Sequence, residues 1–113
     1  MGMRAQVKIE DTGVFLYTHW GSEELPTILQ NVLGSDIGKS RSQDPEYLAR
    51  IIFEAMIENG SASKETGFGI GTSEHGDLEY PAIKVNCEKQ TVTANGMTLS
   101  FDEFRNVNLE EQA

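Results

Sequence analysis

Any imidazole chemistry in this 113-residue chain must come from two side chains, His19 and His75. His19 ends the apolar run from Val14 and stands directly before Trp20-Gly21. Strand ends project side chains into clefts, and imidazole changes charge near neutrality, so His19 with Trp20 is the first candidate for a binding site. The plainer alternative is a histidine hydrogen-bonded to a neighbouring loop and partly covered by Trp20. His75 lies in an acidic loop with Glu74, Asp77 and Glu79. Together His19, His75 and Asp77 would make a two-histidine, one-carboxylate metal set. Their spacing does not call for one: the chain has no H-E-x-x-H, no cysteine pair and no D-x-D-x-D-G run. The expectation is therefore no metal and no cofactor.

The remaining candidates are weaker. Cys87 alternates with Ile83 and Val85, which reads as a small core residue before it reads as a reactive thiol. No serine sits in a G-x-S-x-G setting. Arg41, with Lys39, lies in the polar stretch SDIGKSRSQ (35–43), the place where an otherwise acidic chain is best able to meet an anion, although such loops mostly only connect. Arg50 is a binding candidate that can instead pair with Glu54, four residues on. Glu65 precedes GFGIG and could face a pocket. Glycine at every second position there has neither a G-x-G-x-x-G nor a GK[ST] form, so it points to close packing of the strand, against the long helix or a ligand.

Composition bounds the rest. Eighteen acidic and nine basic residues give a net charge of −9, which opposes binding to nucleic acid or an anionic membrane. It fits a solubility bias, a salt-adapted host or a surface that imitates nucleic acid. A single cysteine rules out an internal disulfide and accords with a reducing cytoplasm. The longest apolar runs are too short to span a bilayer, and the first ten residues do not form a secretory signal. The length suits one domain over 1–113, with 1–3 read as an appended remnant and 106–113 as a frayed tail.

These residues need elements to position them. Arg4 to Glu10 alternates, with Ala5, Val7 and Ile9 inward and Gln6 and Lys8 outward. Asp11-Thr12-Gly13 then turns the chain into a central strand, Val14 to His19. Ser22 caps a helix with Glu23 and Glu24 in its first turn, and Leu25, Ile28, Leu29, Val32 and Leu33 form its apolar stripe. Asp44-Pro45 starts a second helix, which Asn59-Gly60 stops. Its stripe of Leu48, Ile51, Ile52, Ala55 and Met56 is widened by Tyr47, Phe53 and Ile57, so it needs cover on more than one side. Later come strands over 67–71 and 83–87, a two-residue turn at Glu88-Lys89, a hairpin at Asn95-Gly96, and a capping box, Ser100 to Glu103. The fold class this gives is α+β: an antiparallel sheet of five or six strands with two helices packed on one face.

The strings LYTHWGSEELPTILQNVL, DPEYLARIIFEAMI, ETGFGIG and EYPAIKVN, spanning about Leu16 to Asn86, resemble small uncharacterised proteins of phages, prophages and prokaryotic genomes. His19, Trp20, Arg50, Glu65 and Tyr80 fall within the matching pieces, and the resemblance carries no catalytic role to them. It implies an accessory or anti-defence factor. The expected function is that of a small acidic cytoplasmic binding protein acting on a protein partner or sequestering a small ligand, with the wide helix as a candidate homodimer surface. The alternatives are a small metal- or histidine-dependent enzyme using His19 and His75, and a nucleic-acid mimic.

Overall fold

The computed structural model describes residues 4–19, 24–59, 65–76, 78, 81–94 and 96–107. The first alternating run forms β1 (Ala5–Ile9), and the apolar run after the turn forms β2 (Val14–Thr18). They pair antiparallel from Ile9↔Val14 to Ala5↔Thr18, with Gly13 taking the left-handed turn conformation at φ +73°. This register sets Gln6 beside Tyr17 and Lys8 beside Phe15 on one face of the sheet, and Val7 beside Leu16 on the other.

Helix α1 (Leu25–Gly34) buries its predicted stripe of Leu25, Ile28, Leu29, Val32 and Leu33. It starts later than the sequence indicates. Glu24 is the N-cap rather than a first-turn residue, and its side chain makes no capping bond. Ser22 and Glu23 lie outside the described residues. The stretch expected to be a flexible connector holds a short helix, α2 (Asp36–Ser40). Ser35 Oγ accepts the Gly38 N–H at 3.1 Å, and Asp36 stands at the positive end. Helix α3 (Pro45–Asn59) buries Leu48, Ile51, Ile52 and Met56. Its cover is incomplete: Phe53 and Ile57 are only partly buried and Tyr47 is 53 % exposed.

The later strands are β3 (Phe68–Gly71), β4 (Ile83–Asn86), β5 (Thr91–Ala94) and β6 (Met97–Ser100). The capping box then opens α4 (Phe101–Asn106), where Ser100 Oγ accepts the Glu103 N–H and the Glu103 carboxylate accepts the Ser100 N–H. The tail expected to fray from 106 therefore begins inside a helix, and 108–113 lie outside the described residues.

The fold is α+β, with six strands in the order β3-β2-β1-β4-β5-β6 and four helices among the described residues. The sheet is mixed, which corrects the purely antiparallel expectation: β1 and β4 run parallel from Val7↔Ile83 to Ile9↔Val85. Hairpin signals see only strands adjacent in sequence. β1 has one edge taken by β2, and its other edge needs partners for its backbone N–H and C=O groups. A connection carrying helices and β3 brings β4 back alongside in the same direction.

Two turns also differ from or sharpen the sequence reading. The β4–β5 turn is four residues, Cys87 to Gln90, because the last pair is Asn86↔Thr91. Gln90 sits at φ 58°, with Nε2 donating to the Ser42 and Cys87 carbonyls at 2.8 and 2.7 Å. The β5–β6 hairpin closes from Ala94 to Met97 with Gly96 at φ +79°, as the Asn-Gly signal indicates, although Asn95 itself is outside the described residues.

One apolar cluster joins Val7, Ile9, Leu16, Val85 and Val92 of the sheet to buried residues of α1, α3 and α4. Helix α1 contacts α2, α3 and α4, while α3 contacts β2, and α4 contacts β5 and β6.

Candidate functional site

Tyr17 and His19 are two apart on β2 and just beyond it, so their side chains leave the same face of the sheet. The Tyr17 hydroxyl lies 3.1 Å from His19 Nδ1, and Arg4 Nε donates to that nitrogen at 3.4 Å. A guanidinium can only donate, so Nδ1 is the acceptor in the Arg4 contact. The His75 ring lies against Tyr17, centroids 4.8 Å apart and planes tilted by 31°. The structure thus brings both histidines to one tyrosine.

Gln6 holds His75 there. Its Nε2 donates to the Ser73 carbonyl at 3.2 Å, and its Oε1 accepts the His75 N–H at 2.9 Å. Strand alternation places Gln6 outward, yet it is only 2 % exposed because the loop from β3 crosses over it. That loop is tied at its far end, where Glu74 Oε2 accepts the Ala82 N–H at 3.0 Å.

The glycines of β3 lie beside this cluster, Gly69 opposite Tyr17 and Gly71 opposite Phe15. They are not packed tightly, contrary to what their pattern led us to expect. A Cβ on Gly69 would meet only Tyr17 Cδ2 at 3.9 Å, and one on Gly71 would meet nothing within 4 Å.

A phenol bonded to an imidazole can relay a proton. The metal set is not assembled among the described residues, where no group of three His, Cys, Asp or Glu stands close enough to hold an ion. Asp77, its proposed carboxylate, lies outside them, as do Trp20 and Tyr80.

The other candidates sit apart in their contacts. Arg41 is exposed, 4.9 Å over the Tyr47 ring and 3.8 Å from Asp44 Oδ2. Arg50 and Glu54 form the expected pair, 2.6 Å apart and exposed, and Glu65 is exposed in the turn before β3. Cys87 is buried, and burial with the neighbouring Asp11 carboxylate pushes its thiol up from 9.0 to about 12.

A second feature lies on the helical side. An open groove of about 790 Å³ runs between α1 and α3, with α2 at one end. Ile28, Val32, Ile51 and Ala55 form its floor, and Glu24, Glu54 and Glu58 its acidic rim. No lysine or arginine lines it among the described residues. Ile37 of α2 stands at its lip, 54 % exposed.

No family model, curated protein or solved structure matches this chain. The site must therefore be read from its own geometry. His19 and His75 stand out in the sequence, whereas Arg4, Gln6 and Tyr17 around them do not. The i, i+2 spacing of Tyr17 and His19 was a usable signal; the crossing of the 73–75 loop was not, because nothing local encodes it. The groove was missed because its two walls lie on helices read separately. In addition, no helix among the described residues is long and apolar enough to cross a membrane.

Proposed function

We propose that this protein is a small, acidic, cytoplasmic accessory factor that acts by binding a protein partner, with α1 and α3 covering the same face of the sheet and presenting the groove between them. The observation that carries this reading is the groove's lining: three carboxylates over an apolar floor with no lysine or arginine in the lining among the described residues, Glu54 alone being paired, with Arg50 outside it. The carboxylates select the partner's sign and contribute attraction, while the reachable apolar surface adds contact area.

Capture from extract by the immobilised protein, compared with an Ala55→Arg variant, tests this. A partner retained by the parent and lost by a folded variant supports it. Equal retention by both, or no retention by either, overturns it.

The convergence of His19 and His75 on Tyr17 favours a second reading, a small histidine- or metal-dependent enzyme. Metal analysis of the pure protein, with thermal shifts of His19→Ala and His75→Ala, decides it. Stoichiometric metal that is lost in both variants supports an enzyme. A metal-free parent destabilised by His19→Ala assigns the cluster to the fold.

A further inference from the structure

The groove's shape and charge narrow the kind of protein that fits it. We propose that its occupant is a basic amphipathic helix of a partner protein, laid in the trough between α1 and α3; this assignment rests on the groove being a protein-binding site.

The floor is built from helical i, i+4 pairs on both walls, Ile28 with Val32 and Ile51 with Ala55. Such rows form ridges with a groove between them into which a third helix packs. The α1 wall, from Glu24 to Ser35, is about 16 Å long at 1.5 Å per residue, which matches about three turns of a helix. Ile28, Val32 and Ile51 are already buried at 7, 7 and 9 % exposure, so the reachable apolar surface centres on Ala55 and the exposed Ile37. Charge must then contribute much of the attraction.

Glu24 adds an independent pointer. It holds the N-cap position of α1 without capping it, and its Oε2 is shut off from solvent with no hydrogen-bond donor. A closed-off carboxylate oxygen without a donor is costly, and a lysine or arginine could relieve it once the Glu24 side chain turns into the groove. Glu54 already shares Arg50 on its outer side, leaving Glu58 and Glu24 as the groove's two uncommitted acceptors among its carboxylates.

The same charges disfavour other occupants. A second copy would bring carboxylates against carboxylates in a chain of net charge −9, nucleic acid would bring phosphates, and the chain's own last residues, NLEEQA, are acidic.

The probe is an 18-residue amphipathic Leu/Lys helix, titrated into the full-length protein and followed by amide chemical shifts. Its controls are a Leu/Glu helix of the same pattern and a scrambled Leu/Lys peptide. The expected result is saturable shifts at Ile28, Val32, Ile37 and Ala55. Affinity should weaken at least tenfold when Glu24 and Glu58 are both changed to glutamine, and when salt rises from low to several hundred millimolar. Ile37→Glu, at an exposed position, should abolish the shifts while leaving the melting curve in place. Equal binding of the scrambled peptide, shifts centred elsewhere, or no saturable binding overturns the proposal. If the peptide fails while capture from extract still depends on Ala55, the helix class is wrong and the binding reading stands. If capture is indifferent to Ala55, the binding reading itself fails.

Discussion

Asp11 and Cys87, 76 positions apart, are joined directly: the Asp11 carboxylate accepts the Cys87 backbone N–H at 2.7 Å. Its second oxygen accepts the Glu88 N–H at 3.1 Å. One side chain thus fastens the β1–β2 turn to the β4–β5 turn. Two charge-assisted bonds are at stake, so Asp11→Ala should lower unfolding stability by about 2 kcal/mol. Urea denaturation of parent and variant measures it.

The same pairing sets a pH response. The Cys87 thiol is raised from 9.0 to about 12, first by burial and then by Asp11. The folded state therefore holds a proton that the unfolded state releases earlier. This contribution is fully present below about pH 9 and is lost as pH climbs toward 12. Denaturation curves should show stability falling across that window, and the fall should be shallower in Cys87→Ala. An aromatic disulfide reagent at pH 8 should label Cys87 only after unfolding.

Gln6→Ala removes both ties to the 73–75 loop and strips the His75 N–H of its acceptor. The expected cost is about 1–2 kcal/mol. Faster amide exchange should be confined to the loop, and the upfield ring-current shift of His75 from Tyr17 should diminish. A global loss of protection would contradict this local assignment.

Gly38 has no room for a side chain. A Cβ there would stand 1.8 Å from the Val32 carbonyl oxygen, and neither backbone can yield without breaking the α1–α2 junction. Gly38→Ala should cost about 3 kcal/mol, at the upper end of ordinary overpacking, and calorimetry would show the lowered melting temperature.

Thr18 is 2 % exposed and its hydroxyl has no hydrogen-bond partner. Valine has the same shape without that unpaired group. Thr18→Val should be neutral or stabilising by up to about 1–2 kcal/mol, read from the same denaturation experiment. A clear loss of stability would mean that the hydroxyl is used.

The sequence disclosed what is periodic and capped. The stripes of α1 and α3, the Ser100–Glu103 box and the Gly96 turn were all readable, because each depends on residues within a few positions of one another. The α2 helix was overlooked although Ser35, Asp36 and Lys39 carry its signals, since five residues are too few to show an apolar period. The parallel pairing of β1 with β4 and the burial of Gln6 were not legible, because both arise where distant segments meet. The candidate sites share that character: His19 and His75 stand out by rarity, but Tyr17 as their meeting point and the α1–α3 groove exist only after folding.

The seam between β1 and β4 has a kinetic consequence. It has only three register pairs, and it joins segments as far apart in the chain as Asp11 and Cys87. The β1–β2 hairpin and the β4–β5–β6 meander can each form from nearby residues, whereas the seam must close a long loop before its contacts repay the lost entropy. We expect docking of these two parts to come after their formation, with the Asp11 clasp engaging on the native side of the barrier. Asp11→Ala should then accelerate unfolding while leaving the refolding rate nearly unchanged, a split that stopped-flow chevrons resolve.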